Sequence, residues 1–392
     1  MQRPAFNPSE LATAPAPASV VPRKSHRVAA IDWMRGFVML LMVVDHASMA
    51  FDRNHLFQDS ALYAGAATMA LPAGEFFTRW MTHLCAPTFV FLAGTALALS
   101  IGRRVARGAN AWEIDKNILI RGAIIALLDP TFISFGVGKL SLSVLYAIGV
   151  SMMCMTVLRR LPTWGLLAFG LGWFAVGEWI SDLAWDPPGA APVWAALTVA
   201  TSGDGAFSIK YPILPWLAMM SLGWVFGRHM SEHASGKARL APGKVMLFAG
   251  LAALALFLVL RGFNGYGNMF LPRADDSWQQ WLHVSKYPPS LSYTSLELGL
   301  MCLALFVMIK LEPIIGVREN GPFLVFGQTA MFFYLIHRFV FDVPANYFGL
   351  RGIGTITTTY AVALALLVLI YPLCRWYRSV KAAHPQSLLK YI

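Results

Sequence analysis

Ten apolar segments of about 20 residues recur along the chain, and they constrain its fold more than any other feature. A helix rises about 1.5 Å per residue and the hydrocarbon core of a bilayer is about 30 Å thick, so each segment is long enough to span a membrane. Hydrophobic residues make up 57% of the chain and charged residues 13%, which excludes a set of soluble domains. We predict an all-α polytopic membrane helix bundle with about ten spans, near residues 30–51, 75–102, 113–133, 141–158, 162–181, 211–230, 243–262, 289–311, 320–341 and 353–378.

The distribution of basic residues predicts the orientation of the bundle. Most Lys and Arg residues outside the spans lie in the two termini and in the loops on the same side as the termini. Cytoplasmic loops carry an excess of basic residues, so both termini are predicted to face the cytoplasm. The formal net charge of +11 therefore reflects topology, because so few charges in an apolar chain cannot form the basic face that nucleic acids require.

Three regions follow from this pattern. Residues 1–28 are rich in Pro and Ala and are predicted to form a disordered cytoplasmic tail. Residues 29–380 form the predicted membrane domain, and residues 381–392 form a short cytoplasmic tail. The four cysteines are spread singly, without the paired spacing of a disulfide framework or a zinc site, so we predict no metal.

Ionisable residues inside the spans are the first candidates for a functional site, because a charge at membrane depth is costly unless it pairs or faces water. The first span carries Asp45 and His46 near its predicted outer end. Helical periodicity puts His46 on the same face as Arg35, about 16 Å away. In the second span His83 lies one turn before Pro87, which frees backbone groups and opens a polar niche.

Other spans add further candidates, although each taken singly has an ordinary explanation as an interhelical hydrogen-bonding or snorkelling side chain. Arg121 either snorkels or holds ligand phosphates bidentately. Gly94 is predicted to let another helix approach closely. Together the candidates predict a buried polar cavity that opens outward, with Arg35 and Arg121 on the inward route. The residues predicted in the outer half of the bundle are Asp45, His46, His83, Asp129, Lys286, Glu297 and His337.

Four segments in a fixed order carry a family resemblance. They are IDWMRG (31–36) ahead of DH (45–46), THLCAPTFVFLAG (82–94), KYPPSL (286–291), and FG (326–327) through FYLIH (333–337). In these segments the chain resembles bacterial membrane proteins related to heparan-alpha-glucosaminide N-acetyltransferase, over nearly the whole membrane region. The resemblance implies a polytopic acyltransferase fold. In such a fold acetyl-CoA enters from the cytoplasm, and a histidine near the far face catalyses transfer of the acetyl group to a sugar on the other side.

The resemblance also ranks the histidines. His46 resembles the catalytic histidine of the wider bacterial acyltransferase group, whereas lysosomal members carry theirs in the loop after span one, where this chain has His55. We therefore rank His46 first, His83 second and His55 third. His46, tuned by Asp45, is predicted to act as general base, and a covalent acetyl-histidine intermediate is equally compatible with the sequence. The residues predicted to contact the acceptor are His337, Lys286, Glu297 and Asp129. Those predicted to contact the anionic part of the donor are Arg35 and Arg121.

The predicted function is transfer of an acetyl or short acyl group from cytoplasmic acyl-CoA to a hydroxyl or amine of a periplasmic glycan or related acceptor, at the bacterial inner membrane. The first alternative is a secondary transporter or exporter that uses the same His, Asp and Glu residues for proton coupling or substrate binding, but two related halves are not visible in the sequence. The second is a non-catalytic membrane scaffold. Predicted partners are the bilayer, acyl-CoA and the acceptor, without nucleic acid, and a homo-oligomer is compatible with the sequence.

Overall fold

The computed structural model describes residues 28–63, 72–202, 207–387 and 389, and within them the chain is mostly helical. The predicted N-terminal tail lies outside the described residues except for Val28, and the last helix runs three residues into the predicted C-terminal tail. The α-helices of the described part are α1 (Ala29–Phe51), α2 (Ala73–Thr82), α3 (Cys85–Ala106), α4 (Ala111–Leu128), α5 (Ser134–Val137), α6 (Val144–Leu158), α7 (Thr163–Ala184), α8 (Val193–Thr198), α9 (Ile213–Ala234), α10 (Pro242–Phe263), α11 (Trp278–Leu282), α12 (Leu291–Ile315), α13 (Pro322–Gln328), α14 (Ala330–Tyr347) and α15 (Ile356–Ala383).

Three shorter elements complete the described chain. A π-helical turn, Asp129–Ile133, joins α4 to α5, and a 3₁₀ turn spans Ala61–Tyr63. Strand β1 (Leu140–Leu142) pairs in parallel with β2 (Phe207–Ile209). The two strands come from loops that are far apart in the sequence.

Long apolar helices make this a multi-pass membrane protein. Seven parts of the described chain are long and apolar enough to cross a membrane, and α13 with α14 makes an eighth if the bent pair counts as one span. The two remaining predicted segments coincide with α6, which is apolar but only 15 residues long, and with α9. Each predicted segment therefore corresponds to a helix or a broken helix. The count of ten and the cytoplasmic location of both termini stay predictions.

The ninth predicted segment is bent rather than straight. Helices α13 and α14 meet at an angle of 90°. At the break, the Thr329 hydroxyl donates to the carbonyl oxygen of Val325 at 2.8 Å, and the φ of Thr329 is −115°. Such a side-chain bond to the backbone competes with the regular helical pattern. Helix α13 also lies directly against α1, since a Cβ added at Gly327 would be 1.9 Å from the carbonyl oxygen of Asp32.

Glycines bring α3 and α9 into backbone contact. A Cβ added at Gly223 would lie 1.9 Å from the carbonyl oxygen of Phe91, and one added at Gly94 would lie 2.1 Å from that of Met220. Only glycine permits helices to approach this closely. The Thr95 hydroxyl then donates across the contact to the carbonyl oxygen of Gly223 at 2.9 Å. The prediction that Gly94 admits a second helix is confirmed.

One buried cation organises the loop before α12. Arg261, at the end of α10, is fully buried and donates to Asn268 Oδ1 at 2.6 Å and to the carbonyl oxygens of Gln280 and His283 at 2.5 and 3.0 Å. Carbonyl groups buried in a loop need such donors. Arg261 therefore fixes the segment that leads into Lys286 and α12.

We expect Gly223→Ala to destabilise the bundle by about 1–3 kcal/mol, because the added methyl group must separate α3 from α9. The measurement is the thermal unfolding midpoint of the full chain in detergent. Gly172→Ala in α7 is the matched control, since a Cβ there meets nothing within 4 Å. Equal midpoints for the two variants would contradict the packing role of Gly223.

Candidate functional site

A cavity of about 540 Å³ lies beside the C-terminal half of α1. Its walls come from α1, α2, α3, α5, α6 and α14, from both strands, and from the loops before α2, β1, α9, α12 and α15. On α1 the lining residues run from Met39 to Met49, a rise of about 15 Å. Met39 and Met42 are themselves buried at the end of the cavity nearer the start of α1. A cavity with polar lining residues is therefore present, but of the seven residues predicted to form it only Asp45, His46 and Lys286 line it.

His46 and His337 are paired at the cavity wall. His46 Nδ1 lies 2.7 Å from His337 Nε2, and His337 Nδ1 lies 2.9 Å from the carbonyl oxygen of Phe333. A carbonyl oxygen only accepts, so in the neutral pair His337 donates from Nδ1 and accepts at Nε2. His46 must then donate from Nδ1, which leaves its Nε2 unprotonated. Among the described residues Nε2 of His46 has no hydrogen-bond partner, and His46 lines the cavity, so this nitrogen is available as a base.

Arg79, which also lines the cavity, links two carboxylates. Its guanidinium donates to Asp45 Oδ1 at 2.6 Å and to Asp59 Oδ2 at 2.6 Å. Thr82 donates to Asp45 at 2.9 Å, and His83 Nε2 lies 2.9 Å from Asp59 Oδ2. Burial raises the pKa of Asp59, but the charge of Arg79 and the hydrogen bond from His83 outweigh it, so this pKa lies well below its ordinary value. His83 itself is buried behind Asp59 and does not line the cavity.

The break between α2 and α3 follows from Pro87. Proline has no N–H to donate to the carbonyl oxygen four residues earlier, which belongs to His83. The Tyr293 hydroxyl of α12 donates to that oxygen instead, at 3.1 Å. The polar niche predicted from Pro87 is thus present, and α12 fills it.

His55 also reaches the cavity, from the loop after α1. Its Nδ1 lies 2.8 Å from Ser48 Oγ, and its Nε2 is buried without a hydrogen-bond partner among the described residues. Burial, together with the smaller effect of the nearby charge of Arg79, lowers the pKa of His55 to about 3. His55 is therefore a neutral imidazole at physiological pH.

Of the predicted acceptor contacts, only Lys286 lines the cavity directly. His337 does not line the cavity but is hydrogen-bonded to His46, which does. Glu297 is buried in α12, and its Oε1 has no hydrogen-bond partner among the described residues. Asp129 has a structural position: its Oδ2 accepts from the backbone N–H groups of Ser143 and Tyr146, each at 2.7 Å. These bonds cap the start of α6, where unpaired N–H groups need an acceptor.

The predicted donor contacts lie away from the cavity. Arg35 pairs with Asp32 at 3.4 Å and donates to the carbonyl oxygen of Leu92 at 2.9 Å. Arg121 is on an exposed face of α4. Neither residue lines the cavity, so the predicted inward route does not join it in this structure. Within the described residues, no three His, Cys, Asp or Glu side chains group as metal ligands would.

Several site residues were not predicted. Arg79 is an arginine inside a predicted span, and the general rule for intramembrane charges could have identified it. Arg338, which pairs with Asp342 at 2.7 Å in α14, follows the same rule. Asp59 lies in a loop, where a carboxylate is ordinary, so the sequence offered no signal. The polar residues of β1 alternate with apolar ones, a pattern typical of a strand, but the run is short.

We expect Asp59→Asn to lower the unfolding midpoint of the full chain in detergent, because removing one partner of a buried ion pair costs about 3–5 kcal/mol. Asp276→Asn is the control: Asp276 also pairs with an arginine, but its side chain is 91% exposed. Its midpoint should not change. A midpoint for Asp59→Asn equal to that of the wild type would show that Arg79 does not depend on Asp59.

The family described as "Heparan-alpha-glucosaminide N-acetyltransferase, catalytic" matches residues 27–261. This range is more than half of the chain and extends from the start of α1 into the end of α10, so it includes His46, Arg79 and both strands. His337 and Lys286 lie beyond it. Among curated proteins none matches the chain. The predicted family is confirmed over this range, which holds the first two of the four segments (31–46 and 82–94), and the chain belongs to the heparan-alpha-glucosaminide N-acetyltransferase catalytic family.

Proposed function

We propose that the protein transfers an acetyl or short acyl group from cytoplasmic acyl-CoA, with acetyl-CoA as the donor, to a hydroxyl or amine of a periplasmic glycan or related acceptor. Membership of the family supports a transmembrane acetyltransferase. The observation that carries the proposal is the hydrogen-bonded series from the Phe333 carbonyl through His337 to His46, because it leaves an unprotonated imidazole nitrogen at a polar cavity.

In the proposed reaction His46 Nε2 takes the proton of the acceptor hydroxyl or amine. The acceptor oxygen or nitrogen then bonds to the carbonyl carbon of the thioester, and the carbon–sulfur bond breaks. His46 returns the proton to the leaving thiolate, so atoms and charge balance. His337 keeps the His46 ring in the required tautomer and orientation, as the orienting group of a catalytic base does. Asp45 and His83 act by holding Arg79 and Asp59.

The proposed topology has ten spans and both termini in the cytoplasm of the bacterial inner membrane. In this topology α6 and α9 complete the set of spans, and the excess of basic residues on the side of the termini supports the orientation. The end of α1 near Asp45 and His46 then faces the periplasm, and the cavity lies in the periplasmic half of the bundle. Acceptors enter there, whereas the donor approaches from the start of α1, and Arg35 and Arg121 are proposed to contact its phosphates outside the cavity.

We expect His46→Ala to reduce acetyl transfer by about 10²–10⁴-fold, the usual contribution of a positioned base. A deletion strain expressing the variant should lack the acetyl mass on its envelope glycans that the wild-type chain restores, as measured by mass spectrometry. His384→Ala is the control, because His384 is exposed beyond α15. A wild-type acetyl signal from a folded His46→Ala protein would remove His46 from the mechanism.

The same variant separates direct transfer from a covalent route. Incubation with labelled acetyl-CoA without acceptor leaves the protein unlabelled if transfer is direct. Labelled wild-type protein and unlabelled His46→Ala protein would instead assign an acetyl-histidine intermediate to His46.

We expect CoA to raise the thermal unfolding midpoint of the full chain in detergent, because a ligand that binds only the folded state stabilises it. Arg121→Ala should reduce this shift, since a guanidinium binds phosphate bidentately. Arg239→Ala is the control and should leave the shift unchanged, because Arg239 is exposed like Arg121 but lies outside the spans. No shift at millimolar CoA would contradict the donor assignment and favour a transporter that uses the same cavity.

A further inference from the structure

The cavity lining carries more positive than negative charge. Two carboxylates line it, Asp45 and Asp342. Cationic side chains reach it from α2, α14 and four loops, and they are Arg79, Lys139, Lys210, Lys286, Arg338 and Arg351. An excess of one sign in a concave, partly buried site attracts ligands of the opposite charge.

The arginines of this lining form ion pairs or side-chain hydrogen bonds, whereas the ammonium groups of its lysines form no ion pair among the described residues. Arg79 lies between two carboxylates, Arg338 pairs with Asp342 at 2.7 Å, and Arg351 donates to Asn346 Oδ1 at 2.7 Å. None of the three lysines forms an ion pair with a carboxylate in the part of the chain that the structure describes. The positive charge of the cavity that no carboxylate compensates within the described residues is therefore carried by these three ammonium groups and by Arg351, which is hydrogen-bonded but not ion-paired.

The two short strands place ammonium and hydroxyl groups on one surface. Side chains alternate across a strand, so Lys139, Ser141 and Ser143 share one side of β1 and its ends. Ser208 and Lys210 share one side of β2 and its end, and Ser141 pairs with Ser208 in the register. All five residues line the cavity. We call them the lysine–serine face, and it contains donors but no carboxylate.

Two of the lysines lie next to the same aromatic ring. Lys210 Nζ is 5.6 Å from the centre of the Tyr287 ring and 5.8 Å from that of Phe57, and Lys286 Nζ is 5.4 Å from the Tyr287 centre. Lys286 is only 3% exposed. Burial lowers the pKa of Lys210, which is the expected effect on an ammonium group without a carboxylate partner. Cation–π contacts alone compensate only part of the cost of burying such charges.

We propose that the acceptor carries an anionic group, a carboxylate or a phosphate, which the lysine–serine face and Lys286 bind while the acceptor hydroxyl or amine faces His46. Both anions accept several charge-assisted hydrogen bonds, and the face supplies ammonium and hydroxyl donors together. The inference rests on the proposed function and specifies its substrate class: an acidic sugar or a sugar phosphate rather than a neutral sugar.

The test measures binding without any acyl donor. Glucuronate, glucose 6-phosphate and glucose are titrated against the full chain in detergent, with saturation-transfer NMR as the readout. At least one of the two anions should bind with a Kd at least about tenfold below that of glucose, and the comparison between them separates carboxylate from phosphate. Lys210→Met and Lys139→Met should each weaken binding of that anion about tenfold, and Lys210→Arg should retain it.

Lys237→Met is the matched control, because Lys237 is exposed and lies outside the cavity. Lys139 is also exposed, so its variant tests the face even if a change at a more buried lysine disturbs folding. Equal affinity for glucose and both anions would overturn the proposal, and so would unchanged anion binding in the Lys139 and Lys210 variants. Lysine variants that lose CoA binding but keep anion binding would assign the positive charge to the donor, and would also overturn it.

The outcome is distinguishable from failure of the proposed function. Lysine-dependent anion binding without acetyl transfer to any acceptor would contradict the acyltransferase and leave the anion site standing. Acetyl transfer to a neutral glycan, with no preference for the anionic sugars, would leave the acyltransferase standing and contradict the anion site.

Discussion

The arrangement of the site depends on the buried ion pairs of Arg79. One guanidinium joins α2 to Asp45 of α1 and to Asp59 of the following loop, with 2.6 Å bonds to each. Two carboxylates without this cation would be buried unpaired, which is strongly unfavourable in an apolar interior. The pairs therefore fix the loop that carries His55 against α1, and they hold the residue that precedes His46 in the chain.

The proposed base and the group that orients it come from different parts of the sequence. His46 lies in the region that matches the family, and His337 lies in α14 beyond that region, yet their ring nitrogens are 2.7 Å apart. The Phe333 carbonyl fixes the tautomer of His337, and His337 fixes that of His46. Helix α14 thus determines which nitrogen of His46 is unprotonated, although the proposed base itself lies on α1.

The sequence predicted the helices well because apolar runs of membrane length have few alternatives, and it predicted the effects of Gly94 and Pro87 because each acts locally. It did not predict partners that depend on three-dimensional packing. Asp129 caps α6 instead of lining the cavity, and helical periodicity could not show that Arg121 points outward. Strands β1 and β2 have only three residues each and pair across a long stretch of sequence, so no local pattern could have joined them.

The buried methionines at one end of the cavity have a consequence for the membrane itself. Met39 and Met42 close that end, and thioether side chains are unbranched and adapt their shape to a passing group. In the proposed orientation the acyl group must pass this apolar layer to reach His46, whereas a hydrated ion would have to lose its water there. Such a layer would let acyl transfer proceed while the proton gradient across the bilayer stays intact.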